Sequence, residues 1–305
     1  MTTKTISTYV AGGYTLNTAI YNTLSITSTG AVGGTGVYAA ASATIVNAGT
    51  VLANAYFGAH NYGLGIYLRQ GGSITNTGTI AATTTGDSAA ILIGGAGYVD
   101  NGGVIESTSS DGAGVGIDTG TVTNRAGGVI SSGGYGIRFY GATGQLTNAG
   151  DITGASGVKL TGTVVNSGSI VGTSDGGVAI VSGALTNAAG GVIQGGGYGV
   201  GTETAAISNA GTITATGTAG EGVQLHAAGS VTNSAGGVIY GAQYGVETSA
   251  GYVVTITNAG SISGPGEADV YLAGGGAVTN SAGGVIGGAH AGVIMKASGS
   301  VTNAG

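Results

Sequence analysis

Cysteine is absent from the 305 residues, which excludes disulfides and thiolate metal sites. Tryptophan is absent too. Proline occurs once, as Pro265, and with no Gly-X-Y period the 69 glycines are not those of a collagen. Charge is scarce: six basic and twelve acidic residues leave a net charge of −6. The basic residues Lys4, Arg69, Arg125, Arg138, Lys159 and Lys296 are scattered and form no patch, so the chain lacks the electrostatic footprint of a nucleic-acid binder. The three histidines, His60, His226 and His290, stand too far apart to share a metal, and no metal or cofactor is expected. No segment keeps the i, i+3, i+4 spacing of an amphipathic helix over several turns, and no run approaches a transmembrane helix. The first 30 residues lack the basic start and apolar core of a Sec signal peptide.

What is present is a repeat. Asparagine recurs at Asn47, Asn76, Asn101, Asn124, Asn148, Asn166, Asn187, Asn209, Asn233, Asn258, Asn280 and Asn303, in steps of 18 to 29 residues that average about 23. Two residues before each stands an aliphatic side chain, from Ile45 to Val301, and the residue between is usually Thr. That alternation is the period of a half-buried strand with the aliphatic residue and Asn inward and Thr outward. Segments such as Gly65-Ile-Tyr-Leu, Gly157-Val-Lys-Leu and Gly222-Val-Gln-Leu form a second strand, and Gly-Thr-Ile or Gly-Gly-Val-Ile after the Asn a third. Three short strands per period predict an all-β fold, a right-handed parallel β-helix (β-solenoid) of about 12 coils of about 23 residues, rising about 4.8 Å per coil. The inward amides are expected to stack as a hydrogen-bonded ladder.

The coils come in two kinds, Asn-x-Gly and the longer Asn-x-Ala-Gly-Gly (Asn124, Asn187, Asn233, Asn280), and from Asn166 onward they alternate. Residues 1–20 break the pattern and are expected to cap the first coil. Residues 21–305 are expected to form a single repeat domain, which stops in mid-motif at Val301–Gly305 without a cap. The chain therefore reads as a fragment of a longer repeat protein, whose open end invites end-to-end stacking.

Val-Thr-Asn-Ala-Gly-Thr/Ser-Ile and Val-Thr-Asn-Ser-Ala-Gly-Gly-Val-Ile, interleaved with Gly-Val-Tyr-Leu-type strands, resemble the Gly-rich β-helical repeats of bacterial autotransporter passengers and haemagglutinin-like surface adhesins. The resemblance covers roughly residues 20–305. It implies export from a Gram-negative bacterium and an extracellular, cell-surface location, where host or matrix glycans are the partners that the outer turns would meet. It is specific for architecture and weak for activity, because such repeats serve as stalks under many different tips. The chain departs from the pattern in lacking a visible signal peptide and a translocator barrel.

Candidate sites lie on the outward positions. Aligning the Gly-Val-x-Leu strands places Asp118, Arg138 and Lys159 on consecutive coils, as either a surface charge ladder with Asp118 paired to Arg138 or the acid–base cluster of a polysaccharide lyase. Tyr135, Tyr198, Tyr244 and His290 stand at the turns of longer-turn coils, with Asp175, Glu221 and Glu267 on the intervening ones. This pattern suits stacking of sugar rings or, more plainly, covers the Gly-rich turns and keeps them soluble. Asp87, Asp100 and Asp111 sit in Gly-rich surroundings that fall short of the tandem Ca²⁺ nonapeptide. An outward Thr array of the ice-binding kind is complete at Thr121/Thr123 and Thr255/Thr257 but broken at Gln145, Ala184 and Ala277. The reading that results is a non-catalytic structural or adhesive stalk with weak glycan contacts along its outer turns. A lyase-like enzyme is the alternative, and an ice-binding solenoid the remote one.

Overall fold

The computed structural model describes residues 2–56 and 63–305. They are all strand and turn with no helix, arranged as a parallel β-solenoid. The chain divides into two compact units, Met1–Ala155 and Ser156–Gly305, both built on the same coil. Among the described residues the third strand of the coil recurs 13 times, seven times in the N-terminal unit and six in the C-terminal one.

A coil of the C-terminal unit shows the plan. Glu221–Leu225 carries the Gly-Val motif, Gly229–Asn233 ends on the asparagine, and Val238–Tyr240 closes the turn. Each strand pairs in parallel with its equivalent one coil away: Val231 with Ile207 and Ile256, and Ile239 with Ile213 and Ile262. Because side chains alternate along a strand, an in-register parallel stack puts every second residue of every coil into one inward column. Val223, Leu225, Val231 and Ile239 are all buried, as are their equivalents in the neighbouring coils, whereas in the last coil Ile286, Val293 and Met295 are half-buried and Val301 is exposed. In several coils the first two strands run together, as in Ala89–Asn101 and Tyr198–Asn209, where separate strands were expected. In Ala89–Asn101 the register shifts between Ile93 and Ala96, so a bulge takes up the corner without ending the strand.

The asparagines form the expected ladder within each unit. In the N-terminal unit, Asn47, Asn76, Asn101 and Asn124 each donate from Nδ2 to Oδ1 of the next asparagine at 2.8–2.9 Å, ending at Asn148. In the C-terminal unit the same bond runs from Asn166 to Asn303. Each amide also holds its own turn. Asn209 Nδ2 lies 3.1 Å from the Gly211 carbonyl, and in the longer turn Asn233 Nδ2 lies 3.1 Å from the Gly237 carbonyl. The two turn lengths therefore satisfy the same donor, which is why both occur on one ladder. The extra residues of the longer turn make a β-turn closed by Gly237 N–H donating to the Ser234 carbonyl, with Gly236 at φ +81°.

The stacking starts earlier than the asparagines do. Thr3–Ile6 pairs with Thr23–Ile26, and Tyr14–Leu16 with Val37–Ala39, so the segment expected as a cap is itself coiled. Its inward positions hold Ile6 and Ile26 in register with Asn47, so nothing donates to Asn47 Oδ1, which is buried without a partner.

Candidate functional site

With the interior occupied by aliphatic columns and ladder, side chains free to act stand on the outward columns and at the corners. The first of these is Arg138. Its register partner is Gly116, not Asp118, and Gly116 in turn pairs with Leu92. The sequence offers two frames here, Gly114-Val-Gly-Ile and Gly116-Ile-Asp-Thr. Packing selects the first, since it buries both Val115 and Ile117 and a side chain at 114 would meet Ile130 Cγ2 at 2.8 Å. Asp118 consequently lies beyond the column, where its Oδ2 accepts from Gly95 N–H at 2.7 Å. The expected Asp118–Arg138 pair does not form. Instead the Arg138 guanidinium lies 4.9 Å from the ring centres of both Tyr135 and Tyr140. Lys159 belongs to the C-terminal unit. There it borders a shallow depression of about 190 Å³ with Ala179, Tyr198, Gly201, Glu203 and His226. Asp118 therefore drops out of the three-residue ladder on which a lyase reading rests.

The ion pair that does form joins Arg125 to Asp100, with Nε and Nη2 each 2.6 Å from a carboxylate oxygen. The Arg125 hydrogen bonds hold the Asp100 carboxyl below its ordinary value, against the opposing effect of burial. Sequence spacing hides this pair because Arg125 sits in the turn, one residue past Asn124. Asp100, by contrast, is an outward strand residue of the preceding coil, in register with Thr123.

The tyrosine column is likewise rearranged. Tyr198 pairs with Glu221 and Glu221 with Tyr244, so the two-coil spacing with an acid between is real. The next residue in register is Ala268, then Ala291. Glu267 and His290 therefore stand one position ahead of the column, a correction to the expected set. Tyr244 is buried, its ring 5.1 Å from that of Tyr271, and its hydroxyl donates to Glu267 Oε2. Burial, then the bond to Glu267, raises the Tyr244 phenol above its ordinary value. Burial also raises Glu221, with the charge of Glu247 adding to the effect. His290 Nδ1 donates to the Pro265 carbonyl at 2.9 Å, and Ser156 Oγ donates to Asp175 at 2.8 Å. Tyr135 stands in the other unit, in register with Ala113 and stacked on Arg138. What this arrangement leaves half-exposed is a short tyrosine–acid patch at Tyr198 and Glu221, and no continuous aromatic stripe follows from it.

His60 lies outside the described residues. Among those described, no group of three or more His, Cys, Asp or Glu side chains is placed to hold a metal. The outward Thr run of the C-terminal unit, Thr232, Thr257, Thr279 and Thr302, is one column wide, because its companion column reads Ser230, Thr255, Ala277 and Ser300.

Two polar features escape sequence reading. Asp269 stands where adjacent coils have Gly245 and Gly292, fully buried. Its Oδ1 accepts from Gly264 N–H at 2.7 Å, its Oδ2 has no partner among the described residues, and burial raises its carboxyl above the ordinary value. The second is a set of buried hydroxyls, Thr84, Ser88, Ser107 and Ser109, at the corners of two adjacent coils in the N-terminal unit. Only a run of Ser and Thr near Asp87 and Asp111 hints at it in the sequence. In comparisons with protein-family models, curated proteins and solved structures, the chain matches none.

Proposed function

We propose that this chain is a structural module of an exported bacterial surface protein, a non-catalytic solenoid whose outer turns make weak glycan contacts. The supporting observation is the ladder. Every inward asparagine from Asn47 to Asn124, and from Asn166 to Asn280, spends its amide on its own turn and on the next coil. A chain that commits its recurrent inward polar side chain to joining coils is built to extend and to resist unfolding. The surface location rests on the repeat resemblance, and the glycan partners on the outward tyrosines and acids. The Tyr198–Glu221 pair supplies an apolar ring with an acceptor beside it, the combination that sugars engage.

A glycan array on the whole chain, with Tyr135→Ala/Tyr198→Ala beside it, tests this reading. Weak binding to glycans that the variant loses is expected. Turnover of a uronate polymer that Arg138→Ala abolishes would overturn the non-catalytic assignment.

A further inference from the structure

On the outer face of the N-terminal unit a cleft of about 330 Å³ opens between Leu64, Leu92, Asp87, Asp111, Arg138 and Tyr140. That is the lower end of the size range of small-molecule sites. It exists because the column beneath it reads Leu92, Gly116, Arg138: Gly116 has no side chain, so Tyr140 and Leu92 both lean over it, each about 3 Å from where a Cβ would stand.

Both ends of the cleft are held. Arg138 lies between the rings of Tyr135 and Tyr140, contacts that orient its guanidinium while leaving its N–H groups unspent. The acids stand on the corners of adjacent coils, fixed from beneath by the buried hydroxyls. Ser109 Oγ accepts from Asp111 N–H at 3.2 Å and Gly112 N–H at 3.0 Å, and donates to the Gly86 carbonyl next to Asp87. Ser88, the residue after Asp87, shares a hydrogen bond with Thr84 at 2.7 Å and accepts from Gly63 N–H at 3.1 Å. No side-chain hydrogen bond or ion pair to Arg138, Asp87 or Asp111 is formed among the described residues. A cation, two carboxylates and an aliphatic floor thus converge with their bonding capacity unused, on a support more elaborate than the turns of other coils.

We propose that this cleft binds a small zwitterion of the amino-acid or short-peptide class. The ligand's carboxylate meets the Arg138 fork, its ammonium meets Asp87 and Asp111, and an apolar side chain lies on Leu64 and Leu92. The aliphatic floor favours this class over a sugar, whose ring would seek the aromatic faces that Arg138 already covers. The assignment does not rest on the glycan reading of the outer turns.

Calorimetric titration of the whole chain with L-leucyl-L-leucine, its N-acetyl form and its C-terminal amide tests the proposal. One-to-one binding of the free dipeptide is expected, with each capped form at least about tenfold weaker, since each cap removes one charge-assisted contact. Arg138→Met should weaken the free dipeptide and erase its advantage over the amide. Asp87→Asn/Asp111→Asn should erase its advantage over the N-acetyl form, with unchanged melting curves showing that both variants fold. The proposal is overturned by absence of dipeptide binding, by binding indifferent to caps and variants, or by Arg138-dependent binding of glucuronate where the dipeptide does not bind.

Discussion

An inward asparagine and an inward carboxyl meet the same problem, a polar group in a dry interior, with opposite success. Asn209 takes Asn187 Nδ2 on its Oδ1 and gives its own Nδ2 to Asn233. Asn209→Leu would strip a donor from Asn233 and an acceptor from Asn187, and is expected to cost about 2–4 kcal/mol in urea denaturation. Asn47→Leu should cost clearly less. Asn47 Oδ1 already lacks a partner and its register neighbour is Ile26, so one broken bond to Asn76 replaces two. Equal costs at the two positions would show that the ladder is not cooperative. Asp269 has no such column. Its folded-state pKa is raised by burial, so the folded chain holds the proton more tightly than the unfolded one. Stability therefore falls as pH rises from the ordinary carboxylate value of about 4 through the raised value. Asp269→Asn should flatten that part of the melting-temperature profile and raise the melting temperature at pH 7; a profile unchanged by the substitution would mean that the carboxyl is solvated.

At the scale of the turn, glycine serves two purposes that the sequence writes identically. Gly236 is at φ +81° with open space where a Cβ would go, so the conformation alone demands glycine. Gly211 has no such φ, but a Cβ there would run into the Gly191 carbonyl of the preceding coil. Gly236→Ala is expected to cost about 1 kcal/mol and Gly236→Asn less, because Asn tolerates the left-handed region. Gly211→Ala should cost about 3 kcal/mol, with no relief from Asn. The reverse order in chemical denaturation would overturn this division. The same contrast explains what was legible in the sequence. Strand alternation, turn lengths and the ladder repeat every coil, so twelve asparagines vote on one frame. The site residues occur once each, and their placement turns on local packing. Two overlapping Gly-aliphatic frames at Gly114 and Gly116 put Asp118 in the wrong column. Glu267 and His290 stand one residue off because the positions in register with Tyr244 hold alanine, Ala268 and Ala291, and the polar side chain comes just before. Arg125 found Asp100 across coils from a turn, a reach that spacing along the chain does not encode.

For the whole molecule, the nearest-neighbour character of the coils makes length adjustable. Asn187 and Asn233 both open the longer turn and stand 46 residues apart, a separation that spans two coils. Removing Ala188–Asn233 joins Asn187 to Ser234-Ala-Gly-Gly, which restores the β-turn and presents each remaining inward column to an equivalent one. The shortened chain should keep its strand circular dichroism and a cooperative melt, with the melting temperature lowered by a few degrees for the lost coil interfaces. Removing Ala188–Gly222 instead takes out 35 residues and sets Val223 directly after Asn187, where the chain must turn. That variant should lose the ladder and melt broadly. A scaffold predicts this difference, because what it preserves is register, while a chain whose function depends on one constellation in these coils would fail both ways. If the in-register deletion unfolded as readily as the out-of-register one, the coils would be specific to their places and the structural-module reading would fall with it.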